Sequence, residues 1–161
     1  MLADDLGVVM ARELRAVAKE VAAYPTDEAL WRTVPGITNP GGTLALHLAG
    51  NLQHFIGKVL GGSAYVRDRD AEFGRRGEPR AAVVAEVERT IPAVVEGLKR
   101  VTAAQWEAEY PQEVGGKRLA TRRFALHLCS HLAYHLGQLD YHRRMVAPDS
   151  GTAGTVSLAE L

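Results

Sequence analysis

The stretch TRRFALHLCSHLAYHLGQLDYHRRM, residues 121–145, sets His127, His131 and His135 four residues apart among leucines. Each residue turns an α-helix by about 100°, so a four-residue step returns almost to the same face. The pattern commits the chain to one long helix bearing a column of imidazoles, and neighbouring imidazoles in such a column can share a metal ion. A single helical histidine more often meets solvent or satisfies a core hydrogen bond. A repeat set between leucines instead of among charges weakens that ordinary reading.

Three further stretches carry helical periodicity. Residues 2–24 place Leu6, Val9, Met10, Leu14, Val17 and Val21 at three- and four-residue spacing, and Tyr24-Pro25 ends that amphipathic helix. WRTVPGITNPGG breaks the pattern, and Thr43 opens a second helix reaching about Leu60, which puts His47 in its early turns. GGSAYVRDRDAEFGRRGEP reads as a charged connection. Pro79 suits the first turn of a third helix over 79–102, whose apolar set includes Val84, Val87, Ile91, Val94 and Leu98 and whose Pro92 predicts a kink. Gly115-Gly116 marks a turn or short hairpin, and Thr121 suits the N-cap of a fourth helix over 122–146. The pattern predicts an all-α, antiparallel four-helix bundle in one domain, residues 1–161. Its core spans about 2–146, and its small polar tail, 147–161, is either mobile or docked on the bundle.

Composition removes several functions. Nineteen Lys and Arg balance nineteen Asp and Glu, so no broad basic surface exists to neutralise phosphates, and nucleic acid is excluded as an expected partner. No segment approaches a membrane span, and the N-terminus lacks the basic-then-apolar order of a signal peptide. Cys129 is the single cysteine, which agrees with a reducing cytoplasm. The chain lacks the Glu-x-x-His pairs of a di-iron bundle and the His-Glu-x-x-His signature of zinc proteases. A single imidazole-rich site is the expectation that survives.

Helix geometry narrows its membership. His131 and His135 form an i, i+4 pair, and helix 2 offers His47, Asn51 and His54 on nearly one face. Two ligands from the last helix and one from helix 2 would leave a coordination position open, as catalytic sites do. Around this set, Asn51 and His54 are candidate outer donors or substrate contacts, with polar groups bonded across the bundle as the equal alternative. Gln138, three residues after His135, is placed to orient a ligand. Arg143 and Arg144 are candidates to receive a cofactor's carboxylate, although a cationic pair at a helix end is ordinarily solvated. His127 is assigned to the pocket wall or solvent. Cys129, about 200° around the helix from its histidine neighbours, faces away and reads as a small hydrophobe. The arginines at 67, 69, 75 and 76 are offset by Asp68, Asp70 and Glu72, which reads as a solvated loop.

PGITNPGGTLALHLAGNLQHFIG followed far downstream by HLAYHLGQLDYHRRM resembles the DinB/YfiT-like superfamily of metal-binding four-helix bundles. The shared pattern is a His early in helix 2 and His-x-x-x-His-x-Gly-Gln on helix 4, here His47, then His131, His135, Gly137 and Gln138. RDRDAEF at 67–73 is also similar to a connection that one subfamily carries before helix 3. The resemblance implies a divalent metal, zinc or nickel, on His47, His131 and His135, with His47 preferred to His54 because it alone holds the family's ligand position. It also implies a cytoplasmic homodimer. Members with known activity include bacillithiol transferases and a mycothiol-dependent maleylpyruvate isomerase. The implied function is a metal-dependent transferase that activates a low-molecular-weight thiol for attack on an electrophile such as an epoxide, halide or enone. The ligand set equally permits a hydrolase using metal-bound water, and a noncatalytic metal-binding stress protein is the rival class.

Overall fold

The computed structural model describes residues 1–154 and 156–161. Its four long helices are α1 (Leu2–Ala22), α3 (Gly41–Leu52), α5 (Arg80–Lys99) and α7 (Thr121–Val146). Short helices α2 (Asp27–Leu30), α4 (Arg69–Gly74) and α6 (Ala103–Glu107) lie between them. Among the described residues the only β pairing consists of isolated bridges. The fold is an all-α bundle in which α1 packs on α5 and α7, and α3 packs on the same two helices. Met10, Leu14 and Val17 meet Leu48, Leu52, Val87, Val94, Leu98, Leu132 and Leu139 in one shared core, each fully buried. Those positions recur at helical spacing in the sequence because burial selects one face of each helix.

Local chemistry fixes the ends. Asp4 and Asp5 in the first turn and Lys19 in the last turn of α1 match the helix dipole. Pro40, Pro79 and Ala120 occupy the N-cap positions of α3, α5 and α7, so α3 opens two residues before Thr43, and Thr121 is the first helical residue instead of the cap. Pro92 lies inside α5, which continues through it to Lys99. Gly115 and Gly116, both at positive φ, turn the chain so that Val114 bridges Lys117, the two-glycine hairpin expected of that dipeptide.

Helix α3 does not stop at Leu52. It continues from Gln53 to Leu60 as a wider π-helical segment, closing with a Gly61 N–H bond to Ile56 O at 2.9 Å. This segment meets α5 backbone to backbone. A Cβ on Gly97 would lie 2.8 Å from Ile56 O, and one on Gly61 would lie 2.7 Å from Gly97 Cα. Replacing Gly97 by Ala should therefore cost about 1–3 kcal/mol by overpacking. Gly137→Ala, where a Cβ meets nothing within 4 Å, should be neutral or gain up to about 1 kcal/mol from helix propensity. Urea midpoints of the two variants check the contrast.

The tail docks. Its Gly154 N–H donates to Glu20 Oε1 at 2.6 Å, and Lys19 on α1 lies 3.6 Å from Glu160. The 31–34 segment is tied to α7 by His142, whose Nε2 donates to Arg32 O at 2.9 Å while Nδ1 accepts from Tyr24 Oη at 2.7 Å. Burial pushes the His142 pKa down, so this ring works as a neutral double connector.

Candidate metal centre

Helices α3 and α7 bring three imidazoles together. His131 Nε2 lies 3.0 Å from His135 Nε2 and 3.4 Å from His47 Nε2, and one ring nitrogen from each residue falls within 4.8 Å of the others. Nitrogens bound tetrahedrally to zinc at about 2.1 Å would stand about 3.4 Å apart. The spacing suits a shared ion. Leu132 and Leu136 are buried beside His131 and His135 on α7, and buried Leu139 follows His135 by one turn, which fixes the direction in which the two rings project.

Hydrogen bonds set the tautomers. His47 Nδ1 faces Glu72 Oε2 at 3.1 Å, and His135 Nδ1 faces Gln138 Oε1 at 2.6 Å. Both partners are acceptors, so each Nδ1 carries the hydrogen and each Nε2 presents a bare lone pair. The third ring, His131, has a buried Nδ1 with no protein partner. If its hydrogen sits on Nδ1, three lone pairs converge on a point suited to a cation. Burial, then the neighbouring imidazoles of His135, His47 and His127 and the Arg67 guanidinium, push His131 down to about 4. Burial and His47 also lower His135, against the raising effect of Gln138. At neutral pH these two rings are uncharged, the state that metal ligation requires. These observations fit a divalent ion, with His47, His131 and His135 as the residues that could hold it.

The supporting acid was not legible as such. Glu72, read from sequence as part of a solvated loop, is buried on α4, where Asp68 caps the helix by accepting from the Ala71 N–H at 2.9 Å. Arg67 grips the Glu72 carboxylate with Nε at 2.6 Å and a second nitrogen at 2.8 Å, and stacks over Phe55 at 5.5 Å. Burial alone would raise the Glu72 carboxyl; hydrogen bonds from Arg67 and His47 outweigh it and hold the group below the usual range. Gly50 makes room for this arrangement, since a Cβ there would fall on Glu72 Oε1. A glycine inside a helix costs stability and so asks for a reason. In this sequence it was the one available hint of a close neighbour. Glu72→Gln should weaken divalent-metal affinity about 10–100-fold with helicity unchanged, as loss of the carboxylate charge behind a ligating histidine does. Competition against a chromophoric chelator measures it.

Other expected residues fall in varied places. Gln138 is at the cluster, but its oxygen holds the His135 ring. Asn51 is buried one turn after His47, with Oδ1 unpartnered. His54 lies in the π-helical segment, outside the three-ring cluster, and burial lowers its pKa. His127 is exposed and stacks on Phe124 at 6.0 Å. Cys129 packs against the core on the α1 side, where burial raises its thiol pKa. Arg143 requires correction as a carboxylate receptor. It is fully buried, its Nε donates to Glu20 at 2.5 Å, and its other nitrogens reach Ser150 Oγ and Gly151 O, the latter at 3.0 Å. No part of it is free for a ligand.

The fold and the cluster define a class: an all-α bundle carrying a three-imidazole group between two of its helices. The sequence matches the DinB superfamily over residues 10–139, and the chain belongs to that superfamily. All three clustered histidines lie inside the matched span. A comparison with curated proteins finds no match. No helix among the described residues is long and apolar enough to cross a membrane.

Proposed function

We propose that this protein is a divalent-metal-dependent transferase that activates a low-molecular-weight thiol for attack on an electrophile. The observation that carries the reading is the convergence of three Nε2 atoms, two of them held as bare lone pairs by Glu72 and Gln138. A bound dication supplies positive charge that favours the thiolate over the thiol. The chain's residues do the rest. Glu72 keeps the His47 hydrogen on Nδ1, Arg67 keeps Glu72 ionised and in place, Gln138 fixes the His135 ring, and burial keeps His131 neutral. Three protein nitrogens leave room in the coordination sphere for an exogenous group.

Zinc or nickel suits imidazole ligands. The working form we propose is one domain paired as a symmetric homodimer in the cytoplasm, with Cys129 free as a reducing compartment allows. Protein purified without chelator should carry about one divalent ion per chain and should accelerate thiol conjugation to one or more members of an electrophile panel. Stripping the metal should remove that rate and readdition restore it. Metal-loaded protein that conjugates no thiol would overturn the transferase reading.

A further inference from the structure

The bundle leaves the outer face of α7 apolar. Exposed positions on α1 and α5 are mostly charged, among them Asp4, Arg15 and Lys19 on the first and Glu88, Arg89 and Lys99 on the second. From Leu126 to Met145 the exposed side of α7 carries one formal charge, Arg144, and Asp140 already answers it at 3.0 Å. Leu126 is 53% exposed, Tyr134 64%, Tyr141 67% and Met145 53%. Large apolar side chains grouped along about 29 Å of one helix mark a surface that another chain covers.

The spacing indicates which chain. Leu126, Ser130, Tyr134, Gly137, Tyr141 and Met145 follow one another by four, four, three, four and four residues, which keeps all six on one stripe of the helix. That series reads the same in both directions. A second α7 laid antiparallel on the first therefore sets Leu126 against the partner's Met145, Ser130 against the partner's Tyr141, and Gly137 against the partner's Tyr134. Each aromatic ring meets a small residue, and the two flexible apolar ends meet each other. Gly137 has the room, since even a Cβ there meets nothing within 4 Å of its own chain.

Charge agrees with the same register. Arg123, seven residues before Ser130 on this stripe, and Asp149, just past the end of α7, are exposed and have no ion-pair partner among the described residues. The adjacent Arg122 is held by Glu107. Antiparallel pairing brings each Arg123 to the partner's Asp149 and sets the two helix dipoles in opposition.

We infer that a second copy of this chain docks on this face, α7 against antiparallel α7, about a two-fold axis level with His135 and Leu136. The inference rests on the homodimer proposed above and supplies its surface. Tyr134, Tyr141 and Met145 also line a cleft of about 390 Å³ that includes His135. The partner's α7 covers the outer flank of those three side chains, so pairing also fixes one wall of the space beside the imidazole cluster.

Sedimentation velocity on the full chain tests the arrangement. Wild type should run as a dimer at micromolar concentration. Tyr134→Arg, which puts a like charge from each copy near the axis, should weaken pairing by at least about a hundredfold while zinc uptake and helicity are kept. Val8→Arg, at an exposed apolar position on α1, should leave the dimer unchanged. Arg123→Glu and Asp149→Arg should each weaken pairing by roughly tenfold, and the double reversal should restore it. If Tyr134→Arg fails to fold, Tyr141→Arg is read in its place. A wild-type dimer indifferent to the new α7 charge, one broken by Val8→Arg instead, or a double reversal no tighter than the single ones overturns the inference and leaves the homodimer reading standing. A wild type that stays monomeric removes both, while thiol conjugation by the metal-loaded chain decides the transferase reading separately.

Discussion

Arg143→Ala should lower the unfolding free energy by about 3–5 kcal/mol, the usual cost of leaving one member of a buried ion pair alone. Arg143 and Glu20 have side-chain exposures of 0% and 1%, and their closest atoms are 2.5 Å apart. The arginine also donates to Ser150 and Gly151, while Glu20 accepts from the Gly154 N–H. Its removal strands a buried carboxylate and releases the tail in one step. Lysine should rescue poorly, because one ammonium cannot reproduce a planar fork that serves α1 and the tail together. Glu20→Leu combined with Arg143→Met should recover much of the loss, since it removes both charges and not one. Urea denaturation gives the energies, and limited proteolysis within residues 150–161 reports the freed tail. An Arg143→Ala variant with wild-type midpoint and an uncut tail would show that the pair does not hold this end of the bundle.

His135→Ala should abolish stoichiometric divalent-metal binding while leaving helicity nearly intact. The ring is half-buried beside Leu132, Leu136 and Leu139 and is not itself part of the apolar core, so its loss takes a ligand and not a core anchor. Linkage supplies a second readout. A metal that binds only the native chain stabilises it by about 4 kcal/mol at a thousandfold excess over its Kd. Wild-type Tm should therefore rise clearly on zinc or nickel addition, and the variant's should not move. A variant that keeps full occupancy would remove His135 from the ligand set.

The long helices were legible because burial writes itself into sequence as a 3.6-residue period, and α7 carries that period alongside the column of imidazoles. His47, His131 and His135 could be grouped for the same reason: an i, i+4 pair has fixed geometry once the helix is granted. Glu72 could not be placed that way. It reaches His47 from 25 residues downstream through a connection whose charges nearly cancel, and nothing local distinguishes it from Asp70. Only tertiary contact shows that Arg67 and Gly50 form its seat. The adjacent arginines 143 and 144 illustrate a different ambiguity. Neighbours on a helix differ by about 100°, and here that rotation separates a fully buried side chain from one 49% exposed. The sequence pattern of a cationic helix end was correct for Arg144 alone. The π-helical continuation after Leu52 also has no pattern of its own; it lies where Gly61 and Gly97 let two backbones approach closely.

X-ray absorption at the metal edge of the loaded wild-type protein tests the central claim most directly. A single divalent ion per chain should show three imidazole nitrogens in its coordination sphere, at about 2.0–2.1 Å if the metal is zinc, with the imidazole count falling by one in each of His47→Ala, His131→Ala and His135→Ala wherever residual metal can be loaded. A spectrum with fewer than three imidazoles in the wild type, or one left unchanged by all three substitutions, would contradict the account.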